Sequence, residues 1–505
     1  MELQYPSSSF LLTSFLFVLF LLQLIKRSKS NNNSTSNLPP GPWKLPLIGN
    51  LHQFASSLPH HALRDLAKKY GSLMSLRLGE VLTIVVSSPE MAAEVMKTHD
   101  IIFASRPHII ATRILSYDST NLGFAPYGPY WRQLRKICLT ALLSPKRVMS
   151  FRTIRQEEVS KLIKSIALNA RSPINLTQNL YSSAYEITSR AAFGKRFIDQ
   201  EAFMSIVKEC IKLSSGFNVA DLYPSVEWLH NVSGVKSKLE KLHAEADRIM
   251  ENMVNDHKTR KATNKGREDD DLVDALLEYH EHGPSEFSLT MNNIKAVILD
   301  IFAAGSETTA STVDWAMSEM MKNPKITKKA QDEVRHVFDG KGNVDETGLE
   351  ELKYLKLVVK ETLRLHPAAP LLLPRVCGER CEINGYEIPE KAKVIVNAWA
   401  IGRDPNHWDD AESFIPERFL DITIDYKGNN FEYIPFGAGR RICPGMNYAL
   451  ANAECEFAQL LFHFDWKLPG GMKPEELDMT EEFGLSVGRK EDLKLIPVPY
   501  KSCTI

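Results

Sequence analysis

One stretch constrains the fold more than any other: TMNNIKAVILDIFAAGSETTASTVDWAMSEMMKNP, beginning at Thr290 and closed by Asn323-Pro324. Its spacing predicts a helix of about 33 residues, about 50 Å long. A helix that long and that apolar has to cross the interior of a large, mainly α body. It nevertheless carries Ala304, Gly305, Ser306, Glu307, Thr308 and Thr309 near its middle, and Gly305 costs roughly 1 kcal/mol relative to alanine there. Two readings are open. Small residues let another helix pack closely while the polar ones face solvent, or they open a groove for a ligand into which a hydroxyl and a carboxylate deliver protons.

The rest of the 505 residues is compatible with such a body. With 44% hydrophobic and 24% charged residues the composition is globular. A formal charge of -1 excludes the strongly basic balance expected of a nucleic-acid binder. Seven scattered cysteines, an odd number in a long chain, do not form a disulfide framework and indicate a reducing compartment.

The amino terminus departs from this average. FLLTSFLFVLFLLQLI, Phe10 to Ile25, is uncharged and is followed by Lys26, Arg27 and Lys29. As a helix it spans about 24 Å, and flanking serines and snorkelling basic residues extend it toward the hydrocarbon thickness of about 30 Å. The positive charge follows the apolar run instead of preceding it, which argues against a cleaved signal peptide and for a cytosolic body. Residues 1–29 are therefore expected to be a membrane anchor. Residues 30–50, polar and then proline-rich (LPPGPWKLP), read as a stiff hinge. No later composition break divides residues 51–505.

Within that body, Leu73 to Ser88 alternates around Gly79-Glu80, a hairpin signal. Helical patterns dominate from about Pro89 to Leu365, and strand-like pieces return at CEINGYEIP, AKVIVNAWA and DLKLIPV. Lys258 to Asp271, charged and almost without large apolar residues, reads as an exposed loop. The fold class is mainly α with a small β-rich portion built from both ends of the chain. In YLKLVVKETLRLHP, Glu361 and Arg364 share a helix face. Flanked by Val358, Val359, Leu363 and Leu365 they are expected to be a buried pair, and such a pair needs further hydrogen bonds. Arg418 of FIPERFL is offered as a third member.

AGSETT, ETLR, PERF and FGAGRRICPG, in that order after an anchor and a proline-rich hinge, resemble the cytochrome P450 heme-thiolate monooxygenases. The last segment matches the family's Phe-x-x-Gly-x-Arg-x-Cys-x-Gly signature at Phe436, Gly439, Arg441, Cys443 and Gly445, and the resemblance covers essentially the whole chain. LPPGPWKLPLIGN, APYGPYWRQLRK and NAWAIGRDP are most similar to plant microsomal members, among them the sesquiterpene and diterpene hydroxylases. The resemblance implies a cytochrome P450 fold behind one transmembrane helix and heme b (iron protoporphyrin IX) with Cys443 as axial thiolate. Phe436 and Gly437 then belong to the cofactor loop, and Arg441, Trp131, Arg135 and Arg375 reach the heme propionates. Backbone N–H groups of a glycine-rich turn suit a thiolate, and planar guanidinium groups suit carboxylates. Thiolate donation favours O–O cleavage, for which Thr308 and Glu307 match the family's alcohol–acid pair. Ile301, Ala304, Ala369, Leu373 and Leu485, with the stretch from Ser105 to Asn121, are implied to face substrate.

The implied activity is hydroxylation of a lipophilic plant metabolite, a sesquiterpene or diterpene, using O2 and NADPH through NADPH-cytochrome P450 reductase at the endoplasmic reticulum membrane. Arg132, Lys136 and Arg440, near the cysteine loop, are candidates for meeting an acidic reductase. Alternatives are the same chemistry on an alkaloid or phenolic substrate, or a heme-thiolate isomerase or dehydratase. The last has no need of the Glu307-Thr308 pair.

Overall fold

In the structure, a computed structural model, residues 37–500 are described except 56, 264–270 and 284–287. The central helix runs Met291–Lys322. Its start is fixed by reciprocal capping: the Thr290 hydroxyl accepts from the Asn293 N–H, and the Asn293 amide oxygen accepts from the Thr290 N–H. At the other end Pro324 opens the next helix, Pro324–Phe338, because proline fits a first turn but not a helix interior. From Ile294 onward most of the helix is buried. It packs along Leu176–Phe193 and Met446–His463, and Arg152–Leu168 and Lys353–Leu365 complete the helical core. The Leu176–Phe193 helix is capped by the Asn175 side chain and stopped by Gly194 in the left-handed region.

The β portion draws on both ends of the chain. Leu73–Leu78 and Val81–Val86 pair antiparallel, Leu73 opposite Val86, around the turn at Gly79-Glu80. Val81–Val86 then pairs parallel with Lys393–Val396, which pairs antiparallel with Arg375–Val376. The sheet packs through Ile84, Val86, Val394 and Val396 onto Phe103 and Ala438. That contact sets the cysteine-bearing loop against the sheet. CEINGYEIP forms a hairpin, Cys381–Ile383 with Tyr386–Ile388, and Asn384 and Gly385 supply the two left-handed turn residues. Lys494–Pro499 pairs with Phe464–Lys467. The architecture is mainly helical with a small β portion, as the sequence indicates.

The proposed anchor, residues 1–29, lies outside the described residues. Among the described residues no helix is long and apolar enough to cross a membrane. The proline-rich segment lies along the body. Ser75 donates its N–H to Pro40 and its hydroxyl to Pro39, and a Cβ on Gly41 would sit 2.0 Å from the Ser75 carbonyl oxygen. The loop expected from Lys258 is corrected: the helix Val235–Thr263 continues through Lys258 to Thr263. Lysine, arginine and alanine are good helix formers, so high charge alone does not make a loop. His257, buried, is held by Asp271 at 2.9 Å, and Lys261 pairs with Glu278 and Glu281 of Leu272–His282.

Candidate active site

A cavity of about 320 Å³ lies between the middle of the central helix and the loop Pro435–Gly445. The loop's path depends on glycine: Gly437 and Gly439 have φ of 69°, and a Cβ on Gly439 would lie 2.1 Å from the Met96 carbonyl oxygen. The Cys443 N–H donates to the Phe436 carbonyl at 2.9 Å, closing the turn. Gly445 then caps the helix Met446–His463, so the Cys443 sulfur sits at a helix amino terminus and lines the cavity. Burial pushes its thiol up, while the Gly445 N–H, the Arg135 charge and the Met446 N–H favour the thiolate.

Four guanidinium groups line the same cavity: Arg106, Arg135, Arg375 and Arg441. Arg441 donates to the carbonyls of Ala104 and Ala125 and stacks 4.1 Å over the Trp131 ring. Its Nη1 is buried with no partner. Arg375 donates to Phe103 and Ala438 and has Asp100 at 3.6 Å. Arg135 donates to the Ile442 carbonyl at 2.8 Å, and Trp131 spends its N–H on the Leu122 carbonyl. Burial, then repulsion from Arg375 and Arg135, lowers Arg441 to about 9. Arg375 is lowered to about 10 by burial, and Arg106 is lowered well below its ordinary value by burial and by Arg375 and Arg441. These charges destabilise one another, so the site favours an anionic ligand.

On the central helix, Ile301, Ala304 and Thr308 line the cavity. The Thr308 hydroxyl donates back to the Ala304 carbonyl at 2.8 Å. Glu307, one residue earlier, is buried and accepts from the Tyr185 phenol; burial raises it and Tyr185 opposes that rise. A Cβ on Gly305 would meet Thr188 at 3.3 Å and Tyr448 at 3.6 Å. Gly305 packs against a neighbouring helix while Ala304 and Thr308 open toward the cavity, and Ser306, Glu307 and Thr309 are buried, so the polar residues of AGSETT do not face solvent as the packing reading required. Asp300 is half-buried at the wall and accepts from the Gly123 N–H at 2.9 Å and the Asn121 amide at 3.1 Å. Burial lifts its carboxyl to about 6.

The remaining wall is apolar: Ala369 and Leu373 on one side, Leu485 with Ser486 on another, Phe436 and Gly437 beside the cysteine. Of the stretch from Ser105 to Asn121 only Arg106 reaches the cavity; Leu122, Gly123 and Phe124 form that wall instead. The difference arises because Asp300 draws the chain in by the Gly123 N–H. Glu361, Arg364 and Arg418 lie apart from the cavity as a buried cluster. Glu361 holds Arg364 through two contacts of 2.7 Å and Arg418 at 2.9 Å. Arg364 also donates to the carbonyls of Gly402, Ala411 and Ser413, and the Ile415 N–H completes Glu361. Arg132, Lys136 and Arg440 are exposed.

Sequence reasoning missed Asp300 and Tyr185, and held Arg106 only as part of the stretch from Ser105 to Asn121. A carboxylate inside the apolar run ILDIF was a usable signal for Asp300, since a buried charge needs partners. Tyr185 carried none, because its partner is 122 positions away.

Comparison with known proteins is consistent throughout. The family model for cytochrome P450 matches residues 39–494. The chain is 53% identical over 494 residues to premnaspirodiene oxygenase of Hyoscyamus muticus, covering 97% of this chain and 98% of that one. It is 55% identical over 493 residues to desmethyl-deoxy-podophyllotoxin synthase of Sinopodophyllum hexandrum, covering 97% of each. A zebra fish cytochrome P450 solved with progesterone superposes with a TM-score of 0.76 at 24% identity, over 88% of this chain and 100% of that one.

Proposed function

The chain belongs to the cytochrome P450 family and is a monooxygenase, and from that membership we propose that it hydroxylates a sesquiterpene or diterpene. The observation that carries the reading is Cys443 at a helix amino terminus, sharing one cavity with four arginines. The residues fit heme b: a macrocycle with two propionates and a metal answers both the surplus of buried cations, including the unpartnered Arg441 Nη1, and the single sulfur. When bound, a heme-thiolate group would supply reductive cleavage of O2, one oxygen atom going into a C–H bond and the other leaving as water with two electrons and two protons.

The chain's own residues do the rest. Cys443 would hold the iron, in a loop whose glycines let backbone N–H groups approach the sulfur. Arg441, Arg375 and Arg135 would hold the propionates, with Trp131 as the platform beneath two of these guanidinium groups. Thr308 presents its hydroxyl at the cavity and Glu307 takes up protons behind it. Ile301, Ala304, Ala369, Leu373 and Leu485 exclude water and hold an apolar substrate. That apolar wall and the similarity to premnaspirodiene oxygenase favour a terpene skeleton. The similarity to desmethyl-deoxy-podophyllotoxin synthase favours a second reading, the same reaction on a phenolic-derived substrate.

Electrons come from NADPH through cytochrome P450 reductase, which meets the exposed Arg132, Lys136 and Arg440 near the cysteine loop. Residues 1–29 tether the heme domain, 51–505, to the endoplasmic reticulum membrane, and residues 30–50 set its orientation. The test is to supply microsomes containing this chain and its reductase with terpene hydrocarbons and, in parallel, podophyllotoxin-type lignans. NADPH-dependent hydroxylation of a terpene is the expected result. Turnover confined to the lignans contradicts the terpene reading.

A further inference from the structure

Glu307 is not bonded to its neighbour Thr308. Its Oε1 accepts the Tyr185 phenol O–H, and Thr308 bonds the Ala304 carbonyl. Tyr185 is fully buried on the helix Leu176–Phe193, and its ring packs against Phe302 of the central helix at 4.8 Å. Packing therefore fixes the ring, and the ring fixes where the carboxylate sits. Beyond this pair lies a polar face. Tyr181 is one turn earlier on the same helix, with Lys208 5.0 Å over its ring. Lys208 and Lys212, both exposed on Gln200–Leu213, are near enough for their charge to favour ionised Glu307. Lys212 also bonds Glu482 at 3.0 Å. The other ionisable groups nearby are Asp314 and Asp492, which act on Tyr181, and Cys210, which with Tyr181 acts on Tyr185.

We infer that Tyr185 is a positioning residue for the proton-delivering acid. Its phenol holds the Glu307 carboxylate on the Leu176–Phe193 side of the central helix, where protons arrive from the lysine-bearing face of Gln200–Leu213. The inference rests on the reading of Glu307 as the acid behind Thr308. Each proton passed to the cavity leaves Glu307 ionised, and one proton from solvent restores it. The phenol donates to the ionised form, so it keeps the carboxyl from rising as far as burial alone would take it.

The test compares full-length wild type, Tyr185→Phe and Glu307→Gln, all loaded with heme. The infrared carbonyl band of protonated Glu307, identified by its loss in Glu307→Gln, is titrated with pH, and product formed per NADPH is followed over the same range. Tyr185→Phe is expected to raise the band's midpoint by about one pH unit, the effect of losing one hydrogen bond to a charged group. The acid limb of coupling should move with it. An unmoved midpoint overturns the inference and leaves the acid reading of Glu307 intact. Unchanged coupling and pH profile in Glu307→Gln overturn that reading and the inference with it. Should Tyr185→Phe fail to fold, the same titration on Phe302→Leu, which loosens the packing that fixes the Tyr185 ring, still decides. A raised midpoint is the expected result, and an unmoved midpoint overturns the inference.

Discussion

Cys443 and Arg441 take their chemistry from burial, and so does Glu456. Its carboxyl is fully buried on Met446–His463, one oxygen accepting from the Ser183 hydroxyl and the other without a partner. Burial pushes it up to about 7. In the unfolded chain a glutamate titrates near 4.3, so between those values the folded protein binds more protons. The stability Glu456 contributes is thus complete below about pH 4 and is lost as pH rises to about 7. Glu456→Gln keeps the shape and the serine bond but cannot ionise. Urea unfolding across that window should show wild type losing up to about 1.4 kcal/mol per pH unit relative to the variant. Parallel curves would contradict the assignment.

At the scale of elements, the Lys353–Leu365 helix is tied to the loop before the cysteine by Glu361, Arg364 and Arg418. Glu361 and Arg364 have no exposed side-chain surface, and every Glu361 contact is made to a cation or a backbone N–H. Removing Glu361 leaves two buried arginines uncompensated. Glu361→Ala should therefore cost about 3–5 kcal/mol in denaturant unfolding, and a loss below about 1 kcal/mol would show that the cluster is not structurally required.

Elements are also where the sequence was most and least legible. The hairpin Leu73–Val86, the central helix with its Thr290 start and Pro324 stop, and the buried ETLR pair were readable because period, caps and spacing are local signals. The helical end of Val235–Thr263 was not, since its polar composition resembles a loop and its anchors, Asp271 and Glu278, lie beyond it. The cavity wall at Leu122–Phe124 and the partner Tyr185 were equally hidden. They depend on contacts between segments far apart in the chain, which no window of sequence records.

For the whole molecule, the long helix places Thr308 opposite Cys443 across one cavity, and the sheet gathered from both ends presses the cysteine loop against Met96 and Phe103. The sulfur of Cys443 coordinating a porphyrin-bound iron is the central claim. The direct measurement is the difference spectrum of the reduced protein with carbon monoxide, for wild type and for Cys443→Ala. Wild type should show the Soret band diagnostic of thiolate coordination, and the variant should lose it. An imidazole-type band in wild type, a thiolate band surviving in the variant, or a folded protein that takes up no heme would contradict the account.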